Sequence, residues 1–317
     1  MKVTVLDDYQ GIVTRLAAMA VLEGLPVEVT VLERRVSEAG ELIDLLADTE
    51  CLVLIRERSQ ITAEIIGALP RLKLIVQTGR LSGCIDLDAC ARQGVTVRDG
   101  TGNPIAPAEM TWALIMAASR RILPYAGQLA RGKWQRSAEQ IGDERLGRSL
   151  CGRTLGIWGL GKIGKRVAAV GQELGMTVLV HGREQTRTAA EAAGISYEAD
   201  RRRFLAQVDV LSLHLRLCAE TRGMISADDL AGMRADALLV NTSRAELIAP
   251  GALLQAMAGG RPGTAALDVF ENEPEGVADY LNHPNILCTP HLGFVEQDTY
   301  ESYFREAFTH IRQFLQS

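Results

Sequence analysis

The sequence predicts an α/β protein with two parallel-sheet units. Short β-rich runs alternate with amphipathic helical stretches in two separate series, and a polar segment at 131–150 divides them. Alternation of this kind builds a parallel sheet with helices on both faces. The length of 317 residues and the 47% hydrophobic content agree, because they exceed what one average domain needs and allow a sizeable core. We therefore expect two doubly wound domains.

The first series occupies about the first hundred residues. Its helical stretches are amphipathic: in the segment 37–48, Leu42, Leu45 and Leu46 recur at helical spacing. The predicted strands of this series are residues 2–6, 27–32, 51–55, 72–78 and 95–97.

A long helical stretch at 105–130 leads out of the first series. Pro124 should kink or interrupt it, since proline removes a helix hydrogen bond and clashes with the preceding turn. The second series begins at Thr154. Its predicted strands lie within 154–158, 177–181, 208–214, 237–243, 263–270 and 285–290.

Charge and composition exclude several classes of protein. A net charge of −5 and a pI of about 5.7 argue against a nucleic-acid or anionic-membrane partner. The basic run 201–203 is best read as a solvated helix face, and no apolar run approaches the ~18 residues of a membrane span. The first residues read as a strand and lack the pattern of a secretory signal. We therefore expect a cytoplasmic protein.

The cysteines do not suggest a disulfide framework or a metal site. They are scattered and form no CxxC pair, so thiols in a reducing compartment are expected. No cluster of His, Cys and Asp has ligand spacing, and no metal is predicted. The six are Cys51, Cys84, Cys90, Cys151, Cys218 and Cys288.

A glycine-rich turn opens the second series. Gly159, Gly161 and Gly164 follow an apolar strand and precede a helix, with Lys162 and Ile163 between the last two. One glycine permits the tight turn, one lets the backbone approach a pyrophosphate, and one lets helix and strand pack closely. The pyrophosphate would rest on the helix N-terminus. The motif predicts a dinucleotide site, and a purely structural turn is the alternative.

Three downstream segments, read with this turn, resemble the D-2-hydroxyacid dehydrogenases. They are NTSRAELI (241–248), ALDVFENEP (266–274) and TPHLGF (289–294), and the similarity covers nearly the whole chain. The resemblance implies a Rossmann cofactor domain at 101–293. It also implies that this domain is inserted in a flavodoxin-like substrate-binding domain formed by 1–100 and 294–317. The implied reaction interconverts a D-2-hydroxy acid and its 2-keto acid by hydride transfer with NAD(P).

The resemblance also implies three catalytic residues, Arg244, Glu273 and His291. Their chemistry fits: histidine titrates near pH 6.5 and can protonate a keto oxygen, and a carboxylate can stabilise its imidazolium. A guanidinium matches a substrate carboxylate with two hydrogen bonds. Taken singly, Arg244 could be a surface charge, Glu273 a turn cap and His291 a loop histidine.

Further cofactor contacts are implied around this trio. Asp268 resembles the aspartate that contacts the nicotinamide carboxamide, although a strand-end carboxylate with a structural hydrogen bond is the alternative. Thr242 lies near the expected nicotinamide position, and His214 lies where a strand-end loop passes the cofactor. The family commonly has proline where Arg216 stands, so that contact is expected to differ.

Two departures from the family pattern concern specificity. Arg80, Leu81 and Ser82 stand in the loop that binds the substrate carboxylate, where an extra cation suits a second anionic group, unless Arg80 faces solvent. An NAD site usually has Asp or Glu about 20 residues past the glycines, bonded to the adenosine ribose. Here Gly182 and Arg183 stand there. This favours NADP, because a guanidinium can bind a 2′-phosphate; a solvent-facing Arg183 is the alternative.

Other functions remain open at this point. A formate dehydrogenase of this architecture would need Gln in place of Glu273, whereas a non-catalytic corepressor of the same fold keeps the trio. The substrate is not named: glyoxylate, hydroxypyruvate, phosphoglycerate and bulkier keto acids all fit. The apolar stretch 110–118 and the resemblance predict a homodimer, with burial inside the cofactor domain as the competing explanation.

Overall fold

The computed structural model describes residues 1–139 and 145–316. The chain divides into two compact units. The first comprises Met1–Asn103 with Val295–Ser317, and the second comprises Pro104–Phe294.

The first unit is built on a parallel sheet with the order β2-β1-β3-β4-β5. This 2-1-3-4-5 order is the flavodoxin-like one. Its strands are β1 Lys2–Leu6, β2 Glu28–Val31, β3 Cys51–Leu54, β4 Leu74–Gln77 and β5 Thr96–Asp99. Its helices are α1 Ala39–Leu46, α2 Ala63–Ala68, α3 Leu87–Gln93 and the C-terminal α12 Gln297–Gln316, with 3₁₀ turns at Val13–Arg15 and Ala17–Leu22.

Burial follows strand position in this sheet. Every residue of β3 and β4 is buried, as expected for central strands covered on both faces, and these strands read as continuous apolar runs. The edge strand β2 alternates between exposed and half-buried residues. The hydrophobic pattern therefore fixes which strands lie inside.

The second unit contains a longer parallel sheet with the order β12-β11-β10-β9-β6-β7-β8. Its strands are β6 Thr154–Trp158, β7 Thr177–His181, β8 Ser196–Tyr197, β9 Val210–Leu213, β10 Leu238–Asn241, β11 Thr264–Leu267 and β12 Ile286–Cys288. Its helices are α4 Ile105–Ser119, α5 Ile122–Ala130, α6 Lys162–Glu173, α7 Glu184–Ala192, α8 Arg201–Gln207, α9 Ala227–Ala231, α10 Ala252–Ala258 and α11 Ala278–Leu281. The 3₁₀ turns are Ala245–Leu247 and Glu275–Val277. The strand order reverses between β6 and β9, which is the switch point where such sheets bind ligands.

Side chains of β9 show how this sheet divides its core. Val210 packs in a cluster with Trp112 and Ile115 of α4, whereas Leu211 packs in another with Phe204 of α8. Because neighbouring strand residues point to opposite faces, the two clusters lie on the two sides of the sheet. The apolar residues of 110–118 that are buried here belong to the core of their own unit, as the competing explanation for that stretch proposed.

The predicted interruption of the long helix is present, but it precedes Pro124. α4 ends before Arg120, and Arg121 adopts a left-handed backbone with φ 52°. Pro124 then occupies the first turn of α5, where a missing N–H costs nothing because that group has no helical partner.

The fold class expected from the sequence is confirmed. Each predicted strand is found, and the two-residue β8 was not predicted. Of the helices described, none combines the length and apolarity needed to cross a bilayer. Within the described ranges, no group of His, Cys, Asp and Glu side chains could hold a metal ion.

Candidate active site

The three predicted catalytic residues lie at one edge of the sheet of the second unit, each after one of three adjacent strands. Arg244 follows β10, Glu273 follows β11 and His291 follows β12. These strands are parallel neighbours, so their carboxyl ends share the edge at which open α/β sheets bind ligands.

The side chains of Glu273 and His291 form a hydrogen-bonded pair. His291 Nδ1 lies 2.7 Å from Glu273 Oε2, and the two side chains are 24% and 34% exposed. A carboxylate only accepts hydrogen bonds, so Nδ1 carries the hydrogen. The other ring nitrogen, Nε2, is therefore the one that can exchange a proton with a bound molecule.

Glu273 is held in its ionised form. Partial burial acts to raise the pKa of this carboxyl, but the hydrogen bond and charge of His291 outweigh it and lower the pKa below the usual value. The backbone N–H of Phe270, 2.8 Å from Oε1, and the positive charge of Arg244 act in the same direction. Arg244 therefore belongs to the same electrostatic cluster as the pair.

Arg244 lies on a segment ordered by a buried asparagine. The Asn241 side chain donates to the Arg244 carbonyl at 2.9 Å and accepts from the Ser243 N–H at 3.0 Å. Arg244 is extended and half-buried, and its Nη1 donates to the Ser243 carbonyl at 2.6 Å. The guanidinium is thereby presented beyond the end of β10.

Asp268 ties the loop that carries His291 to the end of β11. Its fully buried carboxylate accepts from Thr289 Oγ1 at 2.6 Å, from the Leu292 N–H at 2.8 Å and from the Gly293 N–H at 2.8 Å. Burial raises the pKa of Asp268 despite these bonds. His291 itself has a left-handed backbone, with φ 53°. This arrangement matches the structural hydrogen-bond alternative for Asp268.

The three glycines of the turn after β6 have three different surroundings. A Cβ on Gly159 would lie 2.7 Å from the His214 carbonyl oxygen, and one on Gly164 would lie 2.3 Å from the Gly159 carbonyl oxygen. A Cβ on Gly161 would meet nothing within 4 Å. Gly161 therefore faces open space that a side chain would fill, as expected where a pyrophosphate approaches the backbone.

The helix after this turn suits an anionic group. Gly161 is the N-cap of α6 and supplies no side-chain cap, so the first N–H groups lack a helical partner. Lys162, exposed, and Ile163, half-buried, are the first helical residues. The residues present thus fit the diphosphate of a dinucleotide.

Gly182 and Arg183 lie at the end of β7, as the sequence placed them. The Gly182 carbonyl accepts from the Tyr197 hydroxyl at 2.6 Å. Arg183 is the N-cap of α7, and its exposed guanidinium contacts Cys218 Sγ, with Nη2 at 3.8 Å. A cationic side chain therefore stands where an NAD site usually has a carboxylate.

His214 and Thr242 are positioned by hydrogen bonds within the unit. The His214 N–H donates to the Trp158 carbonyl at 2.9 Å, and Nε2 lies 2.8 Å from Ser212 Oγ. Desolvation lowers the pKa of His214 to about 4, so the ring is neutral at neutral pH. The hydroxyls of Thr242 and Thr111 are 2.7 Å apart.

The predicted substrate loop lies in the first unit, directly after β4. The Gln77 side chain donates to the Arg80 carbonyl at 2.9 Å and to Ser82 Oγ at 2.8 Å. The Leu81 N–H donates to Asp99 Oδ2 at 3.0 Å. These bonds fix the backbone of the loop, and the Arg80 side chain is exposed.

Several supporting residues were not singled out from the sequence. Asn241 and Thr289 stand inside the motif segments but carry no obvious chemistry, and the Phe270 contribution is a backbone N–H. Tyr197 lies in the unpredicted strand β8. Only the positions of Asn241 and Thr289 next to Arg244 and His291 signalled a role.

A doubly wound sheet with a glycine turn at its switch point and a histidine–carboxylate pair at the same edge is the arrangement expected of an α/β dinucleotide-dependent oxidoreductase. The sequence model of the D-isomer specific 2-hydroxyacid dehydrogenase NAD-binding domain matches residues 112–293. The chain belongs to this family and is an NAD-dependent oxidoreductase.

Two relatives and a solved structure illustrate the similarity. The glyoxylate reductase of Aeropyrum pernix is 35% identical over 83% of this chain and 76% of its own length. The D-3-phosphoglycerate dehydrogenase of Synechocystis is 35% identical over 81% of this chain, but the match covers only 45% of that enzyme. The crystal structure of a phosphoglycerate oxidoreductase from Vibrio cholerae is 50% identical, covers 100% of this chain and 99% of its own, and superposes with a TM-score of 0.94.

Proposed function

We propose that this protein interconverts a D-2-hydroxy acid and its 2-keto acid, with Glu273 and His291 as the acid–base pair and Arg244 as the carboxylate anchor. The observation that carries the proposal is the 2.7 Å bond between His291 Nδ1 and Glu273 Oε2, which leaves Nε2 for the substrate. When bound, the nicotinamide accepts or supplies the hydride.

His291 moves the proton that accompanies this hydride. In reduction, Nε2 donates it to the keto oxygen, where negative charge develops; in oxidation, Nε2 removes it from the hydroxyl. Glu273 stabilises the imidazolium and holds the ring in the tautomer that serves both directions. Because its pKa is lowered, Glu273 keeps its charge at neutral pH.

Arg244 binds the carboxylate of the substrate through its planar guanidinium. Its positive charge also lies close enough to Glu273 to act on that carboxylate. The dinucleotide is held by Gly159, Gly161 and Gly164, with the surrounding contacts supplied by Lys162, Ile163, Gly182, His214 and Thr242, whereas Asp268 anchors the loop of His291.

The proposed substrate class is based on Arg80, a cation additional to Arg244, and on the relatives. Arg80, with Leu81 and Ser82, is proposed to recognise the substrate and to favour one with a second anionic group. The relatives include a glyoxylate reductase and phosphoglycerate dehydrogenases. A panel of glyoxylate, hydroxypyruvate, phosphohydroxypyruvate and bulkier keto acids, each with NADH and NADPH, tests this. Absence of turnover with every keto acid would favour the non-catalytic corepressor alternative.

Arg183 is proposed to shift the cofactor preference towards NADP(H). The support is the exposed guanidinium of Arg183 at the end of β7. The residue before it, where an NAD site usually has a carboxylate, is Gly182. Arg183→Ala should raise the KM for NADPH much more than the KM for NADH. Equal effects on both cofactors would refute the assignment.

A homodimer is proposed from the surface of the second unit. Ile122, Leu123 and Leu129 of α5 are each at least 50% exposed, and Trp134 beyond it is 75% exposed. Exposed apolar side chains of this size suit contact with a second copy of the chain. Leu129→Glu should dissociate the dimer in sedimentation experiments, and Leu281→Glu, on another exposed site, should not. A monomeric parent protein at micromolar concentration would contradict the proposal.

A cytoplasmic location is proposed as well, because unpaired cysteines are typical of that reducing compartment.

A further inference from the structure

Two threonine hydroxyls at the catalytic edge of the second unit are in direct contact. Thr242 is the first residue after β10, and its Oγ1 lies 2.7 Å from Oγ1 of Thr111 in α4. Thr111 is fully buried, whereas Thr242 is half-buried. The pair can therefore meet a bound molecule only through Thr242.

The start of α4 lies beside the loop that carries His291. A Cβ on Gly293 would lie 3.8 Å from Cβ of Pro107 and 3.2 Å from Asp268 Oδ2. Thr111 is one helical turn beyond Pro107. The threonine pair therefore belongs to the same edge of the sheet as the acid–base pair.

Pro107 fixes the direction of the hydrogen bond between the two hydroxyls. Thr111 Oγ1 donates to the Pro107 carbonyl at 2.7 Å. A carbonyl only accepts, and a threonine hydroxyl has one hydrogen, so Thr111 has none left for Thr242. Thr242 must therefore donate to Thr111. Its own hydrogen is thereby occupied, and its oxygen offers a bound molecule only lone pairs.

We propose that Thr111 is a positioning residue that makes Thr242 an acceptor for the carboxamide N–H of the nicotinamide. This inference rests on the proposed contact of Thr242 with the cofactor. A carboxamide has two N–H donors on one side and a carbonyl oxygen on the other. A hydroxyl that can only accept pairs with the first and repels the second. It therefore selects one orientation of the carboxamide.

The test compares the binding of two oxidised cofactors to the whole protein by calorimetry, without turnover. The probes are NAD⁺ and 3-acetylpyridine adenine dinucleotide, in which a methyl group replaces the carboxamide NH₂. The methyl group cannot donate, and rotating the acetyl group by half a turn sets its oxygen against the lone pairs of Thr242. The parent should therefore bind NAD⁺ more tightly by about two- to tenfold, which is the range for one neutral hydrogen bond.

Variants of the two threonines should change this ratio in different ways. Thr111→Val keeps the shape but removes the acceptor of the Thr242 hydrogen, which can then turn towards the oxygen of a rotated acetyl group. Affinity for the analogue should rise by about two- to tenfold, and affinity for NAD⁺ should be kept. Thr111→Ser keeps the hydroxyl and should keep the parent ratio. Thr242→Val should instead lower affinity for NAD⁺ by a similar factor.

The matched control is Thr49→Val. Thr49 and Thr4 form another buried pair of hydroxyls, 2.7 Å apart, in the first unit. This control loses the same kind of bond away from the cofactor and should leave both dissociation constants unchanged. If Thr111→Val does not fold, Thr111→Ala provides the same comparison.

The outcomes separate this inference from the proposed function. If Thr242→Val lowers NAD⁺ affinity but Thr111→Val weakens both probes equally, Thr111 only supports the structure and the inference is wrong, whereas the cofactor contact of Thr242 stands. If Thr242→Val leaves the ratio unchanged, Thr242 does not contact the carboxamide and the inference fails with that contact. If the expected ratios are found but no keto acid is turned over, the proposed function fails and this inference stands.

Discussion

Glu273 and His291 are 18 residues apart in the chain, yet their side chains meet at 2.7 Å. The pairing is produced by the sheet: β11 and β12 are parallel neighbours, with Leu267 opposite Cys288. The loops that leave these two strands start at the same edge. The strand register therefore sets the geometry of the acid–base pair.

Replacing His291 with alanine should remove the proton donor. Keto-acid reduction should fall by the ~10²–10⁴ that general acid–base catalysis supplies. Cofactor affinity should change little, because the histidine does not lie at the glycine turn. Steady-state kinetics and cofactor titration measure the two quantities, and His283→Ala in the same unit is the control. A loss of less than tenfold would contradict the assignment.

Replacing Glu273 with glutamine keeps the shape and removes the charge. The glutamate has a lowered pKa and is ionised at neutral pH, so the parent imidazolium is stabilised there. Without this charge, the imidazolium loses the carboxylate that stabilises it. Reduction needs the imidazolium, so its rate should decline at lower pH than in the parent, and acid should restore it. Oxidation needs the neutral ring and should extend to lower pH. Identical pH–rate profiles for the two proteins would exclude a catalytic role for the Glu273–His291 pair.

Arg244→Lys tests the planar fork. Lysine keeps the charge but cannot make two parallel hydrogen bonds to a carboxylate. The loss of charge-assisted bonds predicts a fall of about 10- to 100-fold in kcat/KM for the keto acid. Arg222→Lys, whose guanidinium is exposed and 4.0 Å from Glu246, serves as the control. Equal kinetics for Arg244→Lys and the parent would exclude a bidentate contact.

Alanine substitutions at two glycines of the turn should cause different defects, one in cofactor affinity and the other in stability. Gly161→Ala should keep the melting temperature and lose cofactor affinity, because its Cβ meets only open space. Gly164→Ala should destabilise the fold by about 1–3 kcal/mol, because its Cβ lies 2.3 Å from the Gly159 oxygen. Thermal denaturation and NADH titration of both variants check this. The reverse assignment of the two defects would contradict the geometry.

His214 predicts a pH dependence of stability. Its pKa is lowered to about 4, against about 6.5 in an unfolded chain. Between these values the unfolded state binds a proton that the native state does not. The free energy of unfolding should therefore fall as the pH drops from about 6.5 to about 4, by at most about 3 kcal/mol. His214→Gln should flatten this slope in urea titrations, and His283→Gln should not. An unchanged slope in His214→Gln would place the dependence elsewhere.

The sequence predicted most of the architecture because strand signals are local. Val3 and Val5 of β1 belong to a short apolar run, and the other predicted strands are runs of the same kind. Glycines and helical segments separate these runs in the sequence. β8 was missed because Ser196 and Tyr197 pair over two residues and carry no periodicity. The helix break was assigned to Pro124, but the left-handed Arg121 has no signature that distinguishes it.

Residue types at the candidate site could be read from the motifs, whereas their couplings could not. The sequence named Glu273 and His291, but the Phe270 N–H that also binds Glu273 depends on the backbone path of a turn. Cys218 meets Arg183 only because β9 and β7 flank β6 in the sheet. Contacts that depend on strand order and loop path lie beyond a single sequence.

The carboxylate of Asp268 accepts from the N–H groups of both Leu292 and Gly293, immediately after His291. The loop therefore loses its conformational entropy once, when the chain folds. No further ordering is then needed each time a substrate arrives, and a well-oriented group acts at a high effective concentration. The buried aspartate thus restricts the conformations of the loop and fixes the position of the imidazole.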